Sequence, residues 1–401
     1  METSKLRTYI QSANVNFLFG SGLSRPYLST LGNIEKMLTE LAQSDFDKTV
    51  KTVIEASIYK EYFTGVIFPN MPNSTITEDS DYKVVIDNYS NFFSIWNDIF
   101  NKRANKLLSK QINIYTTNID TLVEKAIEQT KIEFNDGFKG SIKQIFDEGN
   151  FQKSYSKTSL HFQNTFEIPV FNFLKMHGSI NWEKKDGEII NDYVSNQIRN
   201  INDILKNTDT KYFISCGKLS EMHEKADKLL QDKANISVYF STLFNDFIES
   251  YKKLIIVNPT KQKFSETVLD IHFYELMRMY SNSLEKENTI LFVMGFSFAD
   301  EHIRDITIRA ANTNPTLLVV IFAFGEEDSD KESHDNYKIL VNSNKNSNII
   351  VLTPSKFKET NKDENNAKKK LIINSITNFD LATINSVFSL INKEIPRIYD
   401  K

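Results

Sequence analysis

Phe17-Leu18-Phe19-Gly20-Ser21-Gly22-Leu23-Ser24 decides how this chain is read. An apolar run stops at once in a Gly-Ser-Gly turn and a serine, the pattern by which a buried strand delivers its carboxyl end to a phosphate. Glycines permit a tight turn and a close backbone approach, and successive N–H groups can then face an anion. A short Gly-x-Gly match is common, and a plain strand-to-loop turn also explains it. The rest of the chain has to supply its context.

Working outward, Val15–Phe19 is the first of five short apolar runs, followed by Ile112–Tyr115, Leu254–Val257, Ile290–Met294 and Leu317–Phe322. Each is bounded by turn or polar residues, as buried parallel strands are, and Ile349–Leu352 is expected as a sixth strand on an edge. Helical spacing separates them, as in Ile34, Met37, Leu38 and Leu41, or Leu269, Phe273, Leu276, Met277 and Tyr280. This alternation predicts an α/β fold with a doubly wound, mostly parallel, Rossmann-like sheet.

Two long stretches interrupt the alternation. Residues from about 31 to 109 carry helical periodicity and the aromatic residues Tyr62, Phe63, Phe92, Phe93, Trp96 and Phe100. Residues from about 181 to 250 are polar, with helical signals at Ile201–Leu205 and Phe240–Phe247. Both are expected as insertions in one catalytic domain spanning 1–355. Residues 356–401 then form a Lys/Asn/Asp/Glu-rich linker over Lys358–Lys370 and an amphipathic helical tail over Ile372–Ile391. That tail either packs back on the domain or makes an oligomer contact.

The 401 residues, 40% hydrophobic and 12% aromatic, are enough for a sizeable core. With 48 basic and 52 acidic residues the net charge is −4, so no global field draws in nucleic acid or anionic lipid. The one cysteine, Cys216, excludes an internal disulfide and a four-cysteine zinc site. The start, Met1-Glu2-Thr3-Ser4-Lys5, has no apolar signal core, and no apolar run approaches the roughly 20 residues needed to cross a bilayer. A cytoplasmic location without membrane contact is expected.

Four strings recur beside the expected strands: Gly20-Ser21-Gly22-Leu23-Ser24-Arg25-Pro26-Tyr27, Thr117-Asn118-Ile119-Asp120, His177-Gly178-Ser179-Ile180-Asn181-Trp182 and Gly295-Phe296-Ser297-Phe298-Ala299-Asp300-Glu301-His302-Ile303. In this order they resemble the sirtuin-like domains of bacterial anti-phage defence proteins. The resemblance implies that Gly20, Ser21 and Gly22 line a pyrophosphate, with Ser24 near the phosphates or the nicotinamide ribose. It makes Asn118 the contact to that ribose or to the attacking water, Asp120 the support of its loop, and His177 the general base. Thr117, Gly295 and Ser297 join the cofactor-binding set, Ser297 toward the adenosine ribose or phosphates.

The residue types suit the chemistry. Nicotinamide leaves from a cationic ring, so no acid is needed to expel it. An amide can fix the sugar, and an imidazole of ordinary pKa about 6.5 can take a proton from water. Without the resemblance, Asn118 and Asp120 close a strand-to-helix turn, with Asp120 as N-cap of a helix over Leu122–Ile127. His177 would then be structural, and Ser297 would sit in the turn before a helix capped by Asp300. Asp300-Glu301-His302 is not a metal set, because neighbours on a helix point around it; the acidic pair complements the helix dipole.

Departures narrow the activity. Protein-deacetylating sirtuins carry a four-cysteine zinc module and a Gly-Ile-Pro-Asp-Phe-Arg-like loop. Here one cysteine is present, and Arg25-Pro26-Tyr27-Leu28-Ser29-Thr30 stands in place of that loop. The expectation is therefore NAD+ as substrate, cleaved to nicotinamide and ADP-ribose without a metal. The resemblance also implies NAD depletion in infected cells and a homo-oligomer partnered by a HerA-type hexameric ATPase, with nucleic acid met only through that complex. The alternative is a non-catalytic NAD- or ADP-ribose-binding scaffold. A nuclease ranks third, for lack of a carboxylate-rich metal cluster.

Overall fold

Seven strands form the central sheet: β1 (Asn14–Phe19), β2 (Gln111–Thr116), β3 (Phe134–Asn135), β4 (Val170–Lys175), β5 (Thr289–Met294), β6 (Leu317–Phe322) and β7 (Ile349–Leu352). A computed structural model describes residues 1–30, 34–71, 79–103, 108–208, 210–231, 237–257 and 271–396. The spatial order is β7-β6-β5-β1-β2-β4-β3, and every neighbouring pair is parallel. This is the doubly wound α/β architecture that the sequence predicts, with β7 on the expected edge. β1 and β5 are almost wholly buried because helices cover both faces, which is why they read as unbroken apolar runs.

Two strand expectations need correction. Leu254–Val257 is not a sheet strand; its one ladder contact is an antiparallel bridge from Ile256 to Gly178. Its apolar side chains are buried between helices instead, and a short apolar run does not distinguish the two fates. β4, by contrast, is absent from the predicted runs although all six residues are buried. Asn172 and Lys175 interrupt its apolar character; Asn172 is paired with Asn113, and the Lys175 charge is met by Glu124, both distant in sequence.

Asn172 belongs to a ladder of amides across four strands. Asn113 Nδ2 donates to Asn16 Oδ1 at 2.9 Å, Asn172 Nδ2 to Asn113 Oδ1 at 3.0 Å, and Asn135 Nδ2 to Asn172 Oδ1 at 3.2 Å. These residues sit opposite one another in the strand register. A slip of one residue would turn each amide to the other face and leave it unpaired in the interior, so the ladder pins the register.

One face of the sheet is covered by the helices Thr3–Ser12, Ser80–Lys102, Leu122–Thr130 and Leu381–Glu394. The other carries Ile271–Glu285, Glu301–Thr313, Lys331–Ser343 and a small antiparallel sheet that buries Phe146, Trp182 and Ile189. Segments of both expected insertions, Ile34–Gln43 and Lys48–Tyr62 with Asn196–Lys206, Leu219–Gln231 and Ser237–Lys252, fold together around a third core. That helical module meets the carboxyl edge of the sheet through Ile119, Ile180 and Ile256. The aromatic residues of the first stretch are divided accordingly. Tyr62 and Phe63 belong to the module, whereas Phe92, Phe93, Trp96 and Phe100 pack on the sheet. Leu269, the first residue of one predicted helical pattern, lies outside the described residues.

The segment read as a solvated linker is partly helical, over Pro354–Thr360 and Ala367–Ser375. Asn366 starts the second helix by accepting from Lys368 N and Lys369 N. Beyond it, Ile376, Phe379, Leu381, Ile384, Val387, Phe388 and Leu390 are all buried, and Ile372 is half-buried. The Phe388 ring lies 4.8 Å from Trp96 and 5.3 Å from Phe292, closing the sheet face. The tail packs its buried face on its own chain, while Leu371 stays exposed. Among the described residues, no helix is long and apolar enough to cross a membrane.

Truncating the tail's central aromatic tests this. Phe388→Ala should lower stability by about 3–5 kcal/mol, the usual cost of emptying a buried aromatic site. Chemical denaturation should show the loss, with the oligomeric state by light scattering unchanged.

Candidate active site

The strand order reverses at β1: the chain runs from β1 to β2 and β4 on one side, then returns to place β5 on the other. Loops that leave neighbouring strands in opposite directions open a crevice at the carboxyl edge. All four motifs lie there. Gly20–Ser24 follows β1, Thr117–Asp120 follows β2, His177 follows β4, and Gly295–Asp300 follows β5.

The glycines act differently from the sequence expectation. Gly20 is extended, with φ −117° and ψ 174°, and Gly22 sits in a short 3-10 turn over Ser21–Ser24. Of Gly20, Gly22 and Gly295 only Gly295 is left-handed, at φ +62°. A Cβ on Gly20 would lie 2.6 Å from Phe296 Cα, and one on Gly22 would lie 3.0 Å from Gly295 Cα. The first demand is therefore backbone-on-backbone contact between the β1 and β5 loops. Gly20 N donates to Met294 O and Gly22 N to Gly295 O, both at 3.0 Å, so these N–H groups are committed within the protein. Ser21, between them, is half-buried.

Beneath this turn lies a closed polar cluster. Ser24 Oγ donates to Asp120 Oδ2 at 2.8 Å, and Asn118 Nδ2 donates to Gly20 O at 3.1 Å. Asn118 N donates to Thr116 Oγ1 at 2.9 Å, which fixes the loop after β2. Asp120 is not the N-cap residue; Thr121 occupies that position, and Asp120 Oδ1 accepts from Leu122 N at 3.1 Å. Asn118 Oδ1 is buried and accepts no hydrogen bond within the described residues, while Tyr89 Oη interacts with the Ser24 and Asn118 side chains. Tyr89 is fully buried beside Ser24, Asn118 and Asp120, and burial pushes its phenol well above the ordinary value.

Lys175, at the end of β4, lies below the same loops at 3% exposure. Its Nζ donates to Asp120 O, to Ser179 Oγ at 2.7 Å and to Glu124 Oε1 at 2.8 Å. Burial raises the Glu124 carboxyl, and the Lys175 charge opposes that rise. The ammonium thus ties the β2 loop, the helix Leu122–Thr130 and the segment after His177 to one point.

His177 is buried, and its Nε2 lies 3.1 Å from Asp300 Oδ2. Asp300 does cap the helix Glu301–Thr313, as expected, but the histidine contact is new. The loop carrying His177 is held by the segment once expected to be a strand: Val257 N donates to His177 O at 2.9 Å and Ser179 N to Ile255 O at 3.1 Å. Gly178 follows at φ +74°, with Phe273 3.1 Å from where its Cβ would stand, so a glycine is needed beside the histidine. Thr117 and Ser297 are half-buried at the edge, and Ser297 Oγ accepts from Ala299 N at 3.4 Å.

The structure thus brings Gly20, Gly22 and Gly295 together, joins Ser24, Asn118 and Asp120, and pairs His177 with Asp300. Sequence reading missed Lys175, Glu124 and Tyr89. The available signal was Lys175 itself, since a lysine in an otherwise apolar strand requires a buried partner. Cys216 stands apart, half-buried, with burial and Glu61 pushing its thiol up to about 12, which removes it as a nucleophile. Among the described residues no group of three or more His, Cys, Asp or Glu could hold a metal ion. Neither the protein-family models nor the curated proteins compared with this chain give a match.

Two outcomes follow from the geometry. Gly20→Ala should cost on the order of 1–3 kcal/mol through forced separation of the two loops, whereas Gly217→Ala, whose Cβ has ordinary room, should stay within about 0.5 kcal/mol. Thermal denaturation separates them. Lys175→Met should raise the Glu124 carboxyl further. A carboxyl raised in the folded state contributes stability below its unfolded value and loses it as pH rises through the folded value. The variant's melting temperature should therefore fall more steeply than the parent's between acid and neutral pH.

Proposed function

We propose that this chain hydrolyses the nicotinamide–ribose bond of NAD+, releasing nicotinamide and ADP-ribose. The observation that carries the reading is the orphaned Asn118 Oδ1 on the loop after β2, beside the strand whose loop carries the Asp300-paired His177. An amide acceptor and a buried imidazole on adjacent loops, at the switch point of a doubly wound sheet, suit a dinucleotide whose sugar must be held while water attacks.

In this reading Asn118 Oδ1 accepts a ribose hydroxyl or the attacking water. His177 takes the proton as the bond to C1′ forms, and nicotinamide departs with the electron pair of the broken bond, neutral. Ser21 is the group of the β1 turn left to meet the phosphates, because the flanking glycine N–H groups are committed. Ser24 and Asp120 act one step back, holding Asn118 and its loop.

A place in anti-phage defence, with a HerA-type ATPase as partner, rests on the motif resemblance. So does the homo-oligomer. Incubating the chain with NAD+, alone and with that ATPase, and separating products by chromatography tests the reading. His177→Ala and Asn118→Ala should each cut turnover at least ~10²-fold while melting within a few degrees of the parent. A parent that binds NAD+ without consuming it under either condition would make the chain a binding module instead.

A further inference from the structure

Asp300 divides its carboxylate between two tasks. Oδ1 accepts from His302 N at 3.1 Å and Ile303 N at 3.2 Å, closing the first turn of the helix Glu301–Thr313. Oδ2 lies 3.1 Å from His177 Nε2, and the two side chains are only 7% and 10% exposed. A carboxylate oxygen can only accept, so the nitrogen facing it must carry the hydrogen. The pair also joins distant parts of the sheet, since β5 and β4 are three strand positions apart, roughly 14 Å of sheet edge.

We propose that Asp300 is a positioning residue that holds the neutral His177 imidazole as its Nε2–H tautomer, leaving the lone pair on Nδ1 to accept the proton in catalysis. When Nδ1 takes that proton, the ring becomes an imidazolium already facing a carboxylate, which favours the transfer. The helix N-terminus holds Asp300 in place through the other oxygen. One residue thereby locks ring orientation, tautomer and helix start together. The activity half of this inference rests on the NAD+ reading; the tautomer half does not.

The dual use makes an isosteric substitution informative. Asparagine is as good an N-cap as aspartate, so Asp300→Asn should keep the helix. Its amide oxygen is the atom able to accept from His302 N and Ile303 N, which turns its NH2 group toward His177. A donor there converts Nε2 to an acceptor and moves the ring proton to Nδ1. Asp300→Ser, also a good N-cap but too short to reach the ring, should leave neither tautomer enforced.

The test is nitrogen NMR of the full chain labelled in its histidines, of which there are six, with the His177 signals assigned by their loss in His177→Ala. At a pH where the ring is neutral, the parent should show a protonated Nε2 and Asp300→Asn a protonated Nδ1. NAD+ turnover should fall at least ~10²-fold in Asp300→Asn and less in Asp300→Ser, with both melting within a few degrees of the parent. An Asp300→Asn protein that keeps the Nε2–H tautomer overturns the proposal, as does one that switches tautomer yet turns over NAD+ at the parental rate. If the parent consumes no NAD+, the reaction assigned above fails, and the nitrogen spectra alone then decide the pairing.

Discussion

The site depends on a contact that leaves no room for a side chain. The loops after β1 and β5 cross with the backbones of Gly20 and Gly22 against that of Gly295, and two backbone hydrogen bonds seal the crossing. Any Cβ at Gly20 would prise the loops apart. With them closed, the β5 loop is aimed along the carboxyl edge, and Asp300 at its far end reaches the loop of a strand three positions away. The Gly-x-Gly signature thus forms a joint between strands.

Buried polar groups extend the same constraint downward. The amide ladder through Asn16, Asn113, Asn172 and Asn135 fixes how β1, β2, β4 and β3 align, which sets where each loop begins. Lys175 then gathers the β2 loop, the helix behind it and the segment after His177. Each group has a high cost if left unpaired in a low-dielectric interior, so a displaced strand or loop is penalised several times over. Asn118 Oδ1, Tyr89 Oη and Glu124 Oε2 are the buried polar atoms of this network left without a geometric hydrogen bond among the described residues. Segments of the two stretches that interrupt the α/β pattern share this edge, folding into one module that packs on Ile119 and Ile180, immediately beside the Asn118 and His177 loops.

The sequence by itself determined the class of fold and the places where chemistry could occur. Strands covered on both faces must be apolar, so β1, β2, β5, β6 and β7 were legible; loop motifs at the carboxyl ends of β1, β2 and β5 marked Gly20, Asn118 and Ser297, and His177 was marked by its own motif without its strand. Periodicity also found the helix of the tail, because one face of it had to be buried somewhere. Where that face would go is not a local property. Only the tertiary structure decided that Phe388 packs on Trp96, that two separated insertions form one module, and that Leu254–Val257 clamps a loop instead of joining the sheet. It alone could reveal β4, whose Asn172 and Lys175 are tolerable inside only because Asn113 and Glu124 arrive from elsewhere in the chain. For the same reason Asp300 was legible as a helix cap, a matter of neighbouring residues, but not as the partner of His177. Hydrophobic period and capping are written within a few residues of one another, whereas the pairing of buried charges and amides depends on which distant segments the fold brings into contact.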